Sequence, residues 1–253
     1  MITDEIIQIG ENRRTIRKYS SREVSDSLLR RLLEAATHAP TTGNMQLYSV
    51  IVTRTPEGKA ALAPAHFNQP SVKGCDTVLT FCADFNRFVR WCGIRNAAHG
   101  YDNFQALSWA ILDATIVAQQ FVTLAEAQGL GTCYLGTTTY NAPEIADALH
   151  LPKLVIPVAT VTVGWPDEKP EDSGRLPLEA VVFDESYPTL TDEDIVGMFS
   201  EKESRDDSRR FVEENGKENL AQVFTDIRYT REANELFSKK FLDFIERQGF
   251  KLK

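Results

Sequence analysis

The chain has 253 residues and a formal net charge of −8, with 42% hydrophobic and 25% charged residues. That balance belongs to a folded globular protein and excludes a disordered chain. The acidic excess argues against a nucleic-acid surface, which needs a broad basic face, and the length suits one domain or a compact two-lobed one.

The first stretch, MITDEIIQIGENRR, is amphipathic and begins acidic, so it does not read as a secretory leader. RRTIRKY follows at 13–19 and puts Arg13, Arg14, Arg17 and Lys18 within six positions of an acidic chain. Two readings stand for such a cluster: a solvated basic face, or a site for one small anion. Guanidinium forks give charge-assisted hydrogen bonds to phosphate, and Thr15 adds a hydroxyl.

Ser25 is placed to cap a helix whose apolar face is Leu28, Leu29, Leu32, Leu33 and Ala36, with Pro40 beyond its end. APTTGNMQ (39–46) reads as a polar loop, LYSVIVT (47–53) as a strand and DTVLTFCAD (76–84) as a second strand. The stretch 104–128 predicts a long helix, apolar nearly all round and so buried on most sides, in the domain or against a second subunit. Asp113, Gln119 and Gln120 interrupt it and argue against a membrane span. GTCYLGTTT (131–139) predicts a third strand running into a glycine loop, PEIADALHL a short helix, and LVIPVATVTVGW (154–165) a central fourth strand.

After Trp165 the chain turns polar and proline-rich, and from Thr191 it is charged and helical. The expected division is a core over 1–190 and a C-terminal helical extension over 191–253, too thin to fold alone. Its last helix, with Phe237, Phe241, Phe244 and Ile245, is expected to pack on the core or on a partner subunit.

Cys75, Cys82, Cys92 and Cys133 form no CxxC pair, and His38, His66, His99 and His150 show no metal spacing. No metal is expected, and the cysteines read as idle thiols of a cytoplasmic protein. There is no GxxxxGK[ST], no GxGxxG after a strand and no GxSxG elbow.

The order of segments resembles the FMN-dependent nitroreductase family, and within it the branch of nitroreductase A and flavin reductase P. The likeness runs over essentially the whole chain. It is carried by RRTIRKY, APTTGNMQ, FCADFNR (81–87), GLGTCYLG (129–136) and GWPDEKPEDSGRLP (164–177). The resemblance implies an α+β, three-layer fold with a central, mostly antiparallel sheet flanked by helices, in an obligate-type homodimer. FMN would be the cofactor, with NADPH or NADH as co-substrate. Nitroaromatics, quinones or similar small molecules would accept electrons by a ping-pong hydride transfer. Neither a nucleic acid nor a membrane is an expected partner. The alternatives are a flavin reductase that supplies reduced FMN, and a non-catalytic flavin-binding or redox-sensing module.

By the same resemblance, Arg13, Arg14 and Thr15 would hold the FMN phosphate and ribityl chain. Arg17 would lie near the pyrimidine side of the ring, where a cation favours two-electron reduction, and is the expected catalytic residue. Thr41, Gly43 and Gln46 would contact the flavin, in part from the second subunit, and Gln69 would hydrogen-bond the ring. Tyr134, Leu135, Gly136 and Thr137 would line its dimethylbenzene and N5 side, and Arg175 would close on the phosphate. Read without the resemblance, Tyr134 and Leu135 are also plausible strand core, Thr41 and Gln69 turn residues, and Arg175 a surface cation. Two departures stand out. Ser173 occupies a position where the branch often has lysine, and 213–222 keeps a single cation, Lys217, where NADPH-selective relatives carry an arginine-rich loop. Arg205, Arg209 and Arg210 lie nearby in sequence as substitutes, and NADH use is open.

Overall fold

The computed structural model describes residues 2–252. The helices, in chain order, are α1 (Ile2–Glu11), α2 (Asp26–Ala36), α3 (Pro56–Leu62), α4 (Pro70–Gly74), α5 (Asn86–Ile94), α6 (Phe104–Ala127), α7 (Ala142–Ala148), α8 (Asp192–Ser204), α9 (Asp206–Glu214), α10 (Leu220–Val223) and α11 (Arg231–Arg247). The strands are β1 (Tyr48–Thr53), β2 (Thr77–Asp84), β3 (Gly131–Tyr134) and β4 (Val155–Gly164). The chain divides into two compact units, one of residues 1–170 with 237–253 and one of residues 171–236.

In the first unit the strands form one sheet in the order β1-β2-β4-β3, with every pairing antiparallel. Alternation along β2 and β4 decides the layers. Leu79, Phe81, Val161 and Val163 face one side, where Leu29 and Leu32 of α2 and Ala114, Val117 and Phe121 of α6 cover them. Val78 joins Cys133 and Leu135 against Leu62 of α3, Val72 of α4 and Ile145 of α7. The result is the expected three-layer α+β arrangement. A buried leucine or phenylalanine here is worth about 1.5–3 kcal/mol relative to exposure. A further cluster joins Leu47, Phe85, Leu107 and Ile156 to Phe244 and Ile245 of α11, so the last helix packs on the core.

The local signals act as read. The Leu28 N–H donates to Ser25 Oγ at 3.3 Å, which caps α2. Asn103 caps α6, which has the length and hydropathy of a membrane span but lays Ala110, Ala114, Val117 and Phe121 on the sheet and its neighbours. Leu112 and Ile116 of the same helix stay exposed. The third strand ends at Tyr134 and runs into the expected loop, where the Thr138 hydroxyl donates to the Leu135 carbonyl (2.9 Å) and the Asn141 N–H to the Thr137 carbonyl (3.2 Å). These bonds curl the backbone into α7.

The second unit is helical. Thr191 and Asp194 form a reciprocal capping box at the start of α8. The weakly apolar stretch beyond it forms α9 and α10, with Leu220 and Val223 buried and the Arg228 guanidinium 4.2 Å from the Phe211 ring centroid.

Candidate functional site

The basic segment is sewn to the edge of the sheet. Thr15 bridges Thr132 in parallel fashion, and the Ile16 N–H donates to the Thr132 carbonyl at 3.0 Å. Ile16 is buried, and Gly131 makes room for it: a Cβ there would lie 2.7 Å from the Ile16 Cβ. The Tyr19 hydroxyl donates to the Ile16 carbonyl (2.6 Å) and lies 2.7 Å from the Thr162 hydroxyl. Glu168 accepts the backbone N–H groups of Arg17 (2.5 Å) and Lys18 (2.9 Å), which lowers its carboxyl below the usual range. The apolar residues thus turn inward, while the side chains of Arg17 and Lys18 stay exposed.

Arg13 and Arg14 are half-buried. Arg13 Nε lies 3.6 Å from Glu126 Oε1, which also accepts from the Thr132 hydroxyl at 2.5 Å. Burial raises the Glu126 carboxyl, against the opposing pull of Thr132 and Arg13. Arg14 donates to the carbonyls of Glu11 (3.1 Å) and Arg13 (2.8 Å). The Tyr134 hydroxyl is buried without a hydrogen-bond partner among the described residues, and burial pushes it up to about 12. Arg13, Arg14, Glu126, Gly131 and Lys169 border a cavity of about 540 Å³.

The loop between α2 and β1 forms a second group. Its backbone is left-handed at Gly43 (φ 55°), Asn44 (φ 55°) and Gln46 (φ 54°), a conformation that non-glycine residues hold only when the surroundings impose it. Asp113 of α6 imposes it. That carboxylate is 1% exposed and accepts the Thr42 N–H (2.8 Å), the Thr42 hydroxyl (3.0 Å) and the Leu47 N–H (3.1 Å). The Gln46 N–H also donates to Thr41 Oγ1 at 3.3 Å. Arg87 grips the loop's far end, donating to the carbonyls of Gln46 (2.8 Å) and Tyr48 (3.0 Å). Asp84 steadies Arg87 from 3.4 Å, so FCADFNR is a clamp on this loop. Gly43 and Gln46, with Asp84, Arg87, Phe88 and Trp91, border a separate cavity of about 490 Å³.

A third group joins Gln69 to the turn after β3. Leu135 is buried and its N–H donates to the Thr160 carbonyl at 2.8 Å, whereas Gly136 is exposed with nothing within 4 Å of a would-be Cβ. His66 Nδ1 lies 2.8 Å from Thr137 Oγ1, and the Asn141 side-chain amide donates to the Ala65 carbonyl at 2.8 Å. These two bonds tie the loop that carries Gln69 to the turn that carries Thr137.

Burial pushes the His66 imidazole down to about 4, from about 6.5 in an unfolded chain. Between those values the unfolded chain binds a proton that the native protein refuses. Stability is therefore full above about pH 6.5 and falls as pH drops toward 4, by at most about 3 kcal/mol from this group. Urea midpoints measured across that range should fall more steeply for the natural protein than for His66→Gln; equal slopes would refute the assignment.

Arg175 belongs to the second unit. It donates to Ser173 Oγ (3.3 Å) and to the Gly174 carbonyl (2.6 Å). With Lys202 and Arg205 it borders a cavity of about 370 Å³. Of the nucleotide-binding candidates there, Arg205 pairs with Asp207 (3.1 Å), Arg210 with Glu214 (3.8 Å) and Lys217 with Asp226 (2.9 Å), and Arg209 is exposed.

The structure thus brings Arg13, Arg14, Thr15 and Arg17 together along β3, which ends at Tyr134 with Leu135 just beyond it. It joins Thr137 to the Gln69 loop, and it places Gly43 and Gln46 at a cavity of their own, with Thr41 held to the loop by the Gln46 N–H. Asp113, His66 and Arg87 are the residues that sequence reasoning missed. Asp113 had a signal, an acid in the middle of an apolar helix, since charged side chains are rarely fully buried unless partnered. Arg87 closes the motif FCADFNR, and His66 had no signal beyond its type.

Residues 11–165 match the family model described as Nitroreductase family. The "FMN reductase [NAD(P)H]" of Bacillus subtilis (strain 168) is 28% identical over 253 residues, covering 98% of this chain and 99% of the relative. The "Oxygen-insensitive NADPH nitroreductase" of Salmonella typhimurium is 31% identical over 189 residues, covering 75% of this chain and 77% of the relative. A crystal structure from Bacteroides fragilis NCTC 9343 superposes with a TM-score of 0.95 at 53% identity, covering 97% of this chain and all of that one (100%).

Proposed function

The chain belongs to the nitroreductase family, and on that premise we propose that it is an FMN-dependent NAD(P)H oxidoreductase acting on nitroaromatics, quinones or similar small acceptors. The observation that carries the reading is the Arg13–Arg17 segment, locked along β3 with Arg13 and Arg14 on a cavity large enough for part of a flavin nucleotide. The residues suit the group. Forked cations and the Thr15 hydroxyl match a phosphate, and the exposed Gly136 leaves a backbone edge open to a planar ring. When bound, FMN supplies two-electron hydride transfer between the nicotinamide and the acceptor.

The chain's own part is to bind, orient and charge the site. Arg13, Arg14 and Thr15 hold the phosphate end. Arg17, its backbone steadied by Glu168, supplies positive charge beside the pyrimidine edge. Gln69 hydrogen-bonds the ring, while Tyr134, Leu135, Gly136 and Thr137 shape the side where hydride is exchanged. Thr41, Gly43 and Gln46 complete the site from a second copy. The separate cavity bordered by Gly43 and Gln46, and the exposed Leu112 and Ile116 on α6, support a homodimer. Four buried free thiols fit a reducing cytoplasm.

The first test is the visible absorption of the purified protein, with any released chromophore identified by mass. A yellow protein releasing FMN supports the assignments; a colourless one that also fails to take up added FMN overturns them. Arg17→Ala is expected to lower kcat/KM about a hundredfold, as loss of a charge-stabilising donor does elsewhere. Its exposed side chain leaves folding within about 0.5 kcal/mol. Unchanged turnover with FMN retained would remove Arg17 from this role. The FMN reductase relative favours a second reading, supply of reduced FMN to a partner. Turnover with free FMN against turnover with a nitroaromatic separates the two.

A further inference from the structure

Gln69 and Thr137, assigned above to the cofactor, sit on segments joined by His66. Its ring is 0% exposed, Nδ1 lies 2.8 Å from Thr137 Oγ1, and Nε2 is buried with no partner among the described residues. A neutral imidazole carries one N–H and one bare nitrogen, and the environment selects which is which. With the proton on Nε2, an N–H donor would be stranded in the interior and Thr137 would give its own proton to Nδ1. With the proton on Nδ1, the histidine donates to Thr137 and the stranded atom is a bare lone pair. Buried N–H groups are left unmet more rarely than acceptors, so the second arrangement is favoured.

That choice has a chemical consequence. With the proton on Nδ1, the Thr137 oxygen accepts and its hydroxyl hydrogen is left for another acceptor, since its side chain makes no other hydrogen bond among the described residues. Thr137 is half-buried, beside the open backbone of Gly136. The histidine is itself held in place. Phe67 (φ 52°) and Asn68 (φ 54°) after it are left-handed, and the Asn141 amide fastens the Ala65 carbonyl before it. We propose that His66, in its Nδ1–H form, is a positioning residue that makes the Thr137 hydroxyl a hydrogen-bond donor to the flavin. The proposal rests on the FMN reading above. A donor at the flavin stabilises electron density gained on reduction, so it favours the reduced cofactor.

Two measurements on the FMN-loaded protein test it. Long-range ¹H–¹⁵N spectra of the imidazoles, with His66 assigned by its loss in His66→Gln, should show a protonated Nδ1 and a bare Nε2. The opposite pattern overturns the proposal whether or not FMN binds. The midpoint potential of bound FMN should fall in Thr137→Val by about 30 mV, a tenfold change in a two-electron equilibrium, and return in Thr137→Ser. An unchanged potential in Thr137→Val, with FMN still bound, also overturns it. Failure of the natural protein to bind FMN would instead strike the proposed function, and the apoprotein spectrum would still report the tautomer.

Discussion

Asp113→Ala is expected to cost the protein roughly 3–5 kcal/mol, among the largest effects of any single substitution at this site. The carboxylate is buried and accepts three hydrogen bonds from Thr42 and Leu47. Alanine strands two backbone N–H groups and one hydroxyl, each worth about 1–3 kcal/mol when left dry, with some relief as the loop relaxes. For a chain of this length the melting temperature should drop by about 10 °C. The loss should also reach the cofactor, because the same bonds hold the left-handed Gly43 and Gln46 in place. Asp113→Asn should be intermediate. Its amide can keep one acceptor but sets a second donor against a loop N–H. Thermal melts and FMN retention on gel filtration check both variants, and an Asp113→Ala protein melting within about 2 °C of the natural one would refute the anchoring role.

Gly131→Ala is expected to be the next most damaging change. The added Cβ would lie 2.7 Å from the Cβ and Cγ2 of Ile16. A Cβ cannot swing aside as a long side chain can, so the backbone of Ile16 must move. Overpacking of this kind costs about 1–3 kcal/mol. It also prises the Ile16 N–H off the Thr132 carbonyl, the bond that holds Arg13 to Arg17 along β3. FMN affinity should fall about tenfold for each 1.4 kcal/mol of lost positioning. Gly93→Ala is the control. Nothing lies within 4 Å of its would-be Cβ, and it sits in α5. There alanine should be neutral or stabilising by up to about 1 kcal/mol. Equal FMN titrations for Gly131→Ala and the natural protein would show that the segment does not depend on this contact.

Much of the architecture was legible in the residue order because it depends on near neighbours. Ser25 and Thr191 cap the helices that follow them, α6 spans nearly the residues its apolar run predicts, and the strand stretches fall where β-branched residues cluster. Each of these features is decided within about one turn of helix or a few residues of strand. The basic motif was legible too, as a cluster with two possible fates. Residue order therefore set the inventory of elements and the residue types brought to the site. Packing across the fold settled what those residues do. Asp113 meets Thr42 across 71 positions, His66 meets Thr137 across 71, and Glu168 meets Arg17 across 151. Neither periodicity nor spacing encodes such pairs. They exist because the order β1-β2-β4-β3 and the helices on both faces bring distant segments together. A buried carboxylate or imidazole must then take whatever donors and acceptors the packing leaves within reach.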